Sequence, residues 1–176
     1  MNDTLYGKSV ASAANIRAAE EKAIAAGVTE DELIDKAATE LADEVIRRTD
    51  KRGKILFVTG GGNNGADGLT SAKKLSELGF SAAVMPVGDK NSPRNEELIA
   101  GLKRSGVAFT DKIERCGYAV IVDCVFGIGL SREPSGEYAR AIDEINASGA
   151  LVIAADVPSG LDADTGYAYS HCVRAD

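Results

Sequence analysis

Three short segments hold the residues able to do chemistry. The first is Thr59-Gly60-Gly61-Gly62-Asn63-Asn64-Gly65-Ala66-Asp67-Gly68. It follows an apolar run at 55–58 that reads as a buried parallel strand, and it precedes a helix-like stretch at 69–78. Strand, glycine turn and helix place backbone N–H groups and a helix N-terminus against a phosphate. Gly60, Gly62 and Gly65 satisfy G-x-G-x-x-G, a pattern that chain reversal alone can also produce. Two adjacent asparagines after three glycines exceed what a turn needs. The second segment, Val122-Asp123-Cys124-Val125-Phe126-Gly127-Ile128-Gly129-Leu130, carries an aspartate inside an apolar run. Such a carboxylate must be paired, protonated or bound to a cation, or else serve as a turn or cap. The third is Asp156-Val157-Pro158-Ser159-Gly160-Leu161-Asp162-Ala163-Asp164-Thr165-Gly166. Asp156 again ends an apolar strand, and Pro158 with Gly160 fixes a turn that presents Ser159. Asp162 and Asp164 resemble part of a calcium loop, but the remaining ligand spacing is absent and they read as turn residues.

The elements that position these segments follow from periodicity. Two helices lead. The first, at 12–26, carries Ile16, Ala19, Ala23 and Ile24 on one side and is closed by Gly27. The second runs from Thr29-Glu30-Asp31-Glu32, a capping box, to about Arg48, with Val28 and Leu33 as a hydrophobic staple. Its stripe of Leu33, Ile34, Ala37, Leu41, Val45 and Ile46 is expected to pack against the sheet. Strands are predicted at 54–59, 81–87, 107–110, 118–123 and 151–155, and helices at 66–79, 92–105 and 136–148. This βαβ series predicts an α/β fold: a three-layer αβα, Rossmann-like domain with a mostly parallel sheet and two leading helices. Ligands of such sheets bind beyond the carboxyl ends of strands, where all three segments fall.

The bulk properties narrow the function. At 176 residues, 44% apolar and 27% charged, the chain is one globular domain with a real core. A net charge of −7 with mixed signs argues against a nucleic-acid or anionic-membrane surface. Three dispersed cysteines, Cys116, Cys124 and Cys172, read as reduced thiols. Residues 1–8 contain no apolar signal core, and no stretch reaches the length of a membrane span, so a cytoplasmic location is expected. His171, the only histidine, lies outside the three segments, and Ser159 has no evident base, so a Ser-His-Asp hydrolase fits poorly.

Taken together, the segments resemble the NAD(P)HX epimerase family, the YjeF N-terminal domain. Residues 63–68 look like its N-N-G-G-D-G signature, Asp123 to Leu130 like its D-x-x-F-G-x-G-L segment, and 156–166 like D-x-P-S-G-L-D-A-D-T-G. The resemblance implies a cofactor-repair isomerase. It would interconvert the R and S forms of hydrated NADH or NADPH, NADHX and NADPHX, so that an S-specific dehydratase can regenerate the cofactor. It implies a potassium ion at Asn64, Asp123 and Ser159. It implies substrate contacts at Asn63, Asn64, Gly65, Ala66, Asp67, Gly127, Ile128, Gly129, Leu130, Ser131, Arg132, Glu133 and Asp156, with Asp156 as the first-choice catalytic carboxylate. A homodimer is expected by the same resemblance, with the apolar leading helix able to serve it. Two departures stand out. Ala66 replaces a common glycine, and family members usually continue past Asp176 into further sheet strands. The chain is therefore expected to be a single domain over 1–176 lacking its C-terminal strands, whether as a truncated chain, a fragment of a longer epimerase–dehydratase fusion or the product of a gene that lost its end. Two rival readings are a scaffold or binding protein of the same fold, and a nicotinamide-dependent oxidoreductase using G-x-G-x-x-G with Asp89 on a ribose.

Overall fold

The runs KILFVT and VIVDC are too uniformly apolar to leave a face in water, and both form central strands covered on either side. In this computed structural model, the structure describes residues 12–176 together with the backbone of two short antiparallel strands, β1 (Thr4–Leu5) and β2 (Lys8–Ser9). The remaining residues of the stretch read for a signal core lie outside the described residues. Then come α1 (Ala13–Ala25), α2 (Glu30–Arg48), β3 (Lys54–Thr59), α3 (Asn63–Glu77), β4 (Ser81–Pro86) and α4 (Pro93–Arg104). The order ends with β5 (Ala108–Phe109), β6 (Val120–Cys124), α5 (Glu137–Ala147) and β7 (Leu151–Ala154). The five-stranded sheet runs β5-β4-β3-β6-β7, with every pair parallel.

Alternation along the strands divides the core. Ile55 and Phe57 face Val45 of α2, Leu69, Ala72 and Leu75 of α3, and Leu102 of α4. Leu56 and Val58 face Ala141, Ile142 and Ile145 of α5. This is the expected αβα sandwich. The chain leaves β3 for β4 on one side and returns through β6 on the other. The switch point therefore lies between β3 and β6, where open sheets place ligands.

Local chemistry sets the helix ends. Thr29 Oγ1 accepts from the Glu32 N–H at 3.2 Å, and Glu32 Oε2 accepts from the Thr29 N–H at 2.8 Å, closing the capping box. After α1, the Val28 N–H returns to the Ala23 carbonyl at 3.0 Å. Some boundaries differ from expectation. Helix α3 begins at Asn63 rather than at 66, because extended Gly62 acts as its N-cap and the two asparagines enter the first turn. The third predicted strand shrinks to two residues at the sheet edge, where one neighbour is missing. The buried line of α2 is Ala38, Ala42 and Val45, with Ala37 exposed, because α2 packs over α3 rather than squarely on the sheet. Helix α1 buries Ala13 alone and leaves Ile24 43% exposed, so its apolar side is not core.

Candidate active site

The ends of β3, β6 and β7 are stitched into one surface. The Gly60 N–H donates to the Cys124 carbonyl at 3.0 Å, and the Ala155 N–H to the Asp123 carbonyl at 2.9 Å. A side chain at Gly60 would run into the Val125 carbonyl, so only glycine allows this approach. Beyond these ends opens a cleft of about 970 Å³. Asn63, Asn64, Asp67, Gly127, Ile128, Gly129, Leu130 and Asp156 line it. Gly65 and Ala66 are buried behind the wall, while Ser131, Arg132 and Glu133 are exposed and not part of it. The Ala66 methyl stands at an ordinary helical angle, since Cys116 and Asp156 alone among described non-glycine residues have positive φ. Asp89 does not line the cleft, whereas its neighbour Lys90 does.

Asp123 is fully buried and answers the question its position raised. Its carboxylate accepts from the Ser159 N–H at 2.8 Å, the Ser159 hydroxyl at 2.7 Å and the Val125 N–H at 3.1 Å. Burial pushes its pKa up to about 6, against the downward pull of Ser159 and Val125. Ser159 Oγ in turn accepts from the Phe126 N–H at 2.8 Å. Asn64 is different: both ends of its side-chain amide are buried and without a hydrogen-bond partner. Unpaired buried amides are rare, and this one has room for a cation at its oxygen and an acceptor at its nitrogen. Among the described residues no group of three His, Cys, Asp or Glu side chains could hold a metal. The oxygens of Asn64, Asp123 and Ser159 are nevertheless hard donors of the kind an alkali cation takes.

Two more acids face the cleft. Burial, reinforced by the nearby Asp156 and Glu20 carboxylates, pushes Asp67 up to about 7. Asp156 sits at φ 67 in the left-handed region, which among non-glycine residues asparagine and aspartate enter most readily. Its Oδ2 accepts from the Ile128 N–H at 2.7 Å, joining the second and third segments.

Several cleft residues escaped the sequence reading. Ile16, Arg17 and Glu20 come from α1, which reaches the site because Asp164 Oδ1 accepts from the Ala13 N–H at 2.9 Å. The Arg17 guanidinium donates to the Ile128 carbonyl at 3.0 Å. These contacts span more than a hundred residues and leave no local pattern. Tyr138 and Phe126, with ring centroids 4.9 Å apart, supply the aromatic part of the wall. Asp162 Oδ1 accepts from the N–H groups of Asp164 and Thr165, the turn role expected of it. His171 pairs with Asp143 at 3.0 Å, away from the cleft.

The chain is similar to several known proteins. The chain is 34% identical over 148 residues to the NAD(P)H-hydrate epimerase of Limosilactobacillus fermentum, covering 82% of this chain and 71% of that protein. It is 37% identical over 154 residues to the NAD(P)H-hydrate epimerase of Oenococcus oeni, covering 85% and 73%. It is also 35% identical over 161 residues to a bifunctional NAD(P)H-hydrate repair enzyme of Thermofilum pendens, covering 85% of this chain but 31% of that one. The fold matches the crystal structure of yeast ynu0 with a TM-score of 0.84 at 21% identity, over 94% of this chain and 77% of that one. The family model described as YjeF-related protein N-terminus matches residues 30–176, and the chain belongs to that family.

Proposed function

We propose that this protein is an NAD(P)H-hydrate epimerase, an isomerase that interconverts the R and S forms of hydrated NADH or NADPH. The observation that supports it most is the meeting of Asp67 and Asp156 over two glycine segments within one cleft. The substrate is a dinucleotide with a hydrated nicotinamide ring. Backbone N–H groups of the two glycine segments suit its diphosphate, and Phe126 with Tyr138 offers apolar surface to a ring.

The chemistry assigned to the site is dissociative. The bond from the hydrated ring carbon to its hydroxyl breaks as the hydroxyl takes a proton and leaves as water. The ring nitrogen lone pair forms a C=N bond, giving a planar cation. Water then adds to either face and returns the proton. Asp156 is assigned the proton transfer and, once ionised, the stabilisation of the cation. Asp67, at about 7, keeps a proton available in the neutral range. Asn64, Asp123 and Ser159 are assigned to a potassium ion, which would supply a fixed positive charge to the buried oxygen set. Functional coupling to an S-specific dehydratase completes the repair, as the bifunctional relative's name suggests. Three free cysteines support a reducing, cytoplasmic setting, and exposed Ile24 supports a homodimer across α1. No helix in the described residues is long and apolar enough to cross a membrane.

The test mixes the protein with R-NADHX, potassium and an S-specific dehydratase and follows recovery of NADH. Recovery above the spontaneous rate is expected, and Asp156→Asn, which tolerates the left-handed backbone, should abolish it. Label from oxygen-18 water should enter the substrate during turnover. Epimerisation without that exchange would refute the dissociative scheme.

A further inference from the structure

All three carbonyls of the Gly60-Gly61-Gly62 run are held by the first turn of α4. The Asn95 side-chain Nδ2 donates to the Gly60 carbonyl at 3.3 Å and to the Gly62 carbonyl at 3.1 Å. The Ser92 N–H donates to the Gly61 carbonyl at 3.0 Å. Asn95 is wholly buried, and its Oδ1 has no hydrogen-bond partner. Its amide is thus committed through its donor end alone, to the loop. The α4 helix is itself anchored by Ser92 Oγ, which accepts from the Asn95 N–H at 3.2 Å, and by Pro93 in its first turn.

A trans peptide is planar, so its C=O and N–H point in opposite directions. Carbonyls drawn toward α4 therefore turn the N–H groups of Gly61, Gly62 and Asn63 away from it. All three residues line the cleft. None of these three amides has a backbone acceptor among the loop and turn hydrogen bonds of the described residues. Successive outward N–H groups at the start of α3 form an anion-binding concavity.

We propose that Asn95 is a positioning residue for substrate binding: by clamping the Gly60 and Gly62 carbonyls it aims the Gly61, Gly62 and Asn63 amides at a diphosphate. The proposal rests on the reading above that the substrate is a dinucleotide. Asn95 touches no substrate and acts through the loop. Losing two neutral hydrogen bonds that hold the amides predicts a roughly tenfold or larger loss of diphosphate affinity.

The experiment titrates ADP calorimetrically into the wild type, Asn95→Leu and Asn95→Asp, with R-NADHX epimerisation measured alongside. Expected is ADP binding to the wild type, weakened at least about tenfold in both variants, with KM raised about tenfold and kcat little changed. Wild-type ADP affinity in a folded variant would overturn the proposal, since a merely structural role lowers Tm without moving affinity. Absence of ADP binding to the wild type would also overturn it. Should both variants fail to fold, amide NMR shifts of the wild type on adding inorganic pyrophosphate decide the matter. Shifts at Gly61, Gly62 and Asn63 support the proposal, and their absence overturns it. ADP binding that depends on Asn95 in a protein without epimerase activity would support the clamp while refuting the epimerase reading.

Discussion

Removing one hydroxyl should expose how Asp123 is kept in the core. In Ser159→Ala the carboxylate loses its 2.7 Å O–H donor, and the Phe126 N–H loses its 2.8 Å acceptor. A hydrogen bond to a charged group contributes about 1.5–3 kcal/mol, and an orphaned donor costs about 1–3 kcal/mol. Phe126 is half-buried, so water takes over part of the second cost and the sum lies near 3 kcal/mol. For a domain of this size that lowers Tm by roughly 6–12 °C. The loss should also depend on pH. Asp123 has a folded pKa of about 6, above the roughly 3.9 of an unfolded aspartate. Its contribution to stability is therefore fully present below about pH 4 and is lost as pH rises through 6. Ser159 pulls that folded pKa down, so Ser159→Ala moves it up and enlarges the loss at high pH. Thermal melts of wild type and variant at about pH 4.5 and pH 8, in potassium-free buffer, should show the larger gap at pH 8. In an Asp123→Asn background the gap should shrink and lose its pH dependence. A Tm loss under about 2 °C, or an equal gap at both pH values, would refute the assignment of Ser159 as the principal partner of a buried charge.

Four further outcomes follow from the same structure. Gly65→Ala should destabilise by about 3 kcal/mol and abolish activity, because the new methyl meets the Gly60 carbonyl oxygen. Ala66→Gly, one position on, should cost no more than about 1 kcal/mol, the helix-propensity difference; chemical denaturation compares the two. Asp67→Asn should raise Tm at pH 8. The folded pKa of Asp67, about 7, lies above its unfolded value, so wild-type stability falls as pH rises from 4 through 7 and the variant's does not. Potassium at about 100 times its Kd should stabilise the wild type by about 2.7 kcal/mol in melts against sodium controls, and Asn64→Ala should erase the difference.

What was legible in the sequence was local or periodic. The capping box of Thr29 and Glu32, the turn at Asp162 and the βαβ alternation each involve residues a few positions apart, whose preferences are set by backbone geometry. The three polar segments were legible because glycines, asparagines and strand-ending acids depart from what buried strands require. The helix start at Asn63 was misread because a glycine run reads as loop, while an extended Gly62 can cap a helix directly.

The arrangement of the site was decided by tertiary structure. Asp123 and Ser159 lie 36 residues apart, and Asp164 caps α1 across 151. Neither pairing has a local signature, because each exists only after β6 and β7 align and the chain closes on itself. The same holds for Asn95, which looks like an ordinary helix residue until α4 folds against the glycine run. The sequence by itself determined which residues could bind anions or move protons. Their protonation, orientation and mutual distances depend on desolvation and long-range packing, which arise only in the folded chain.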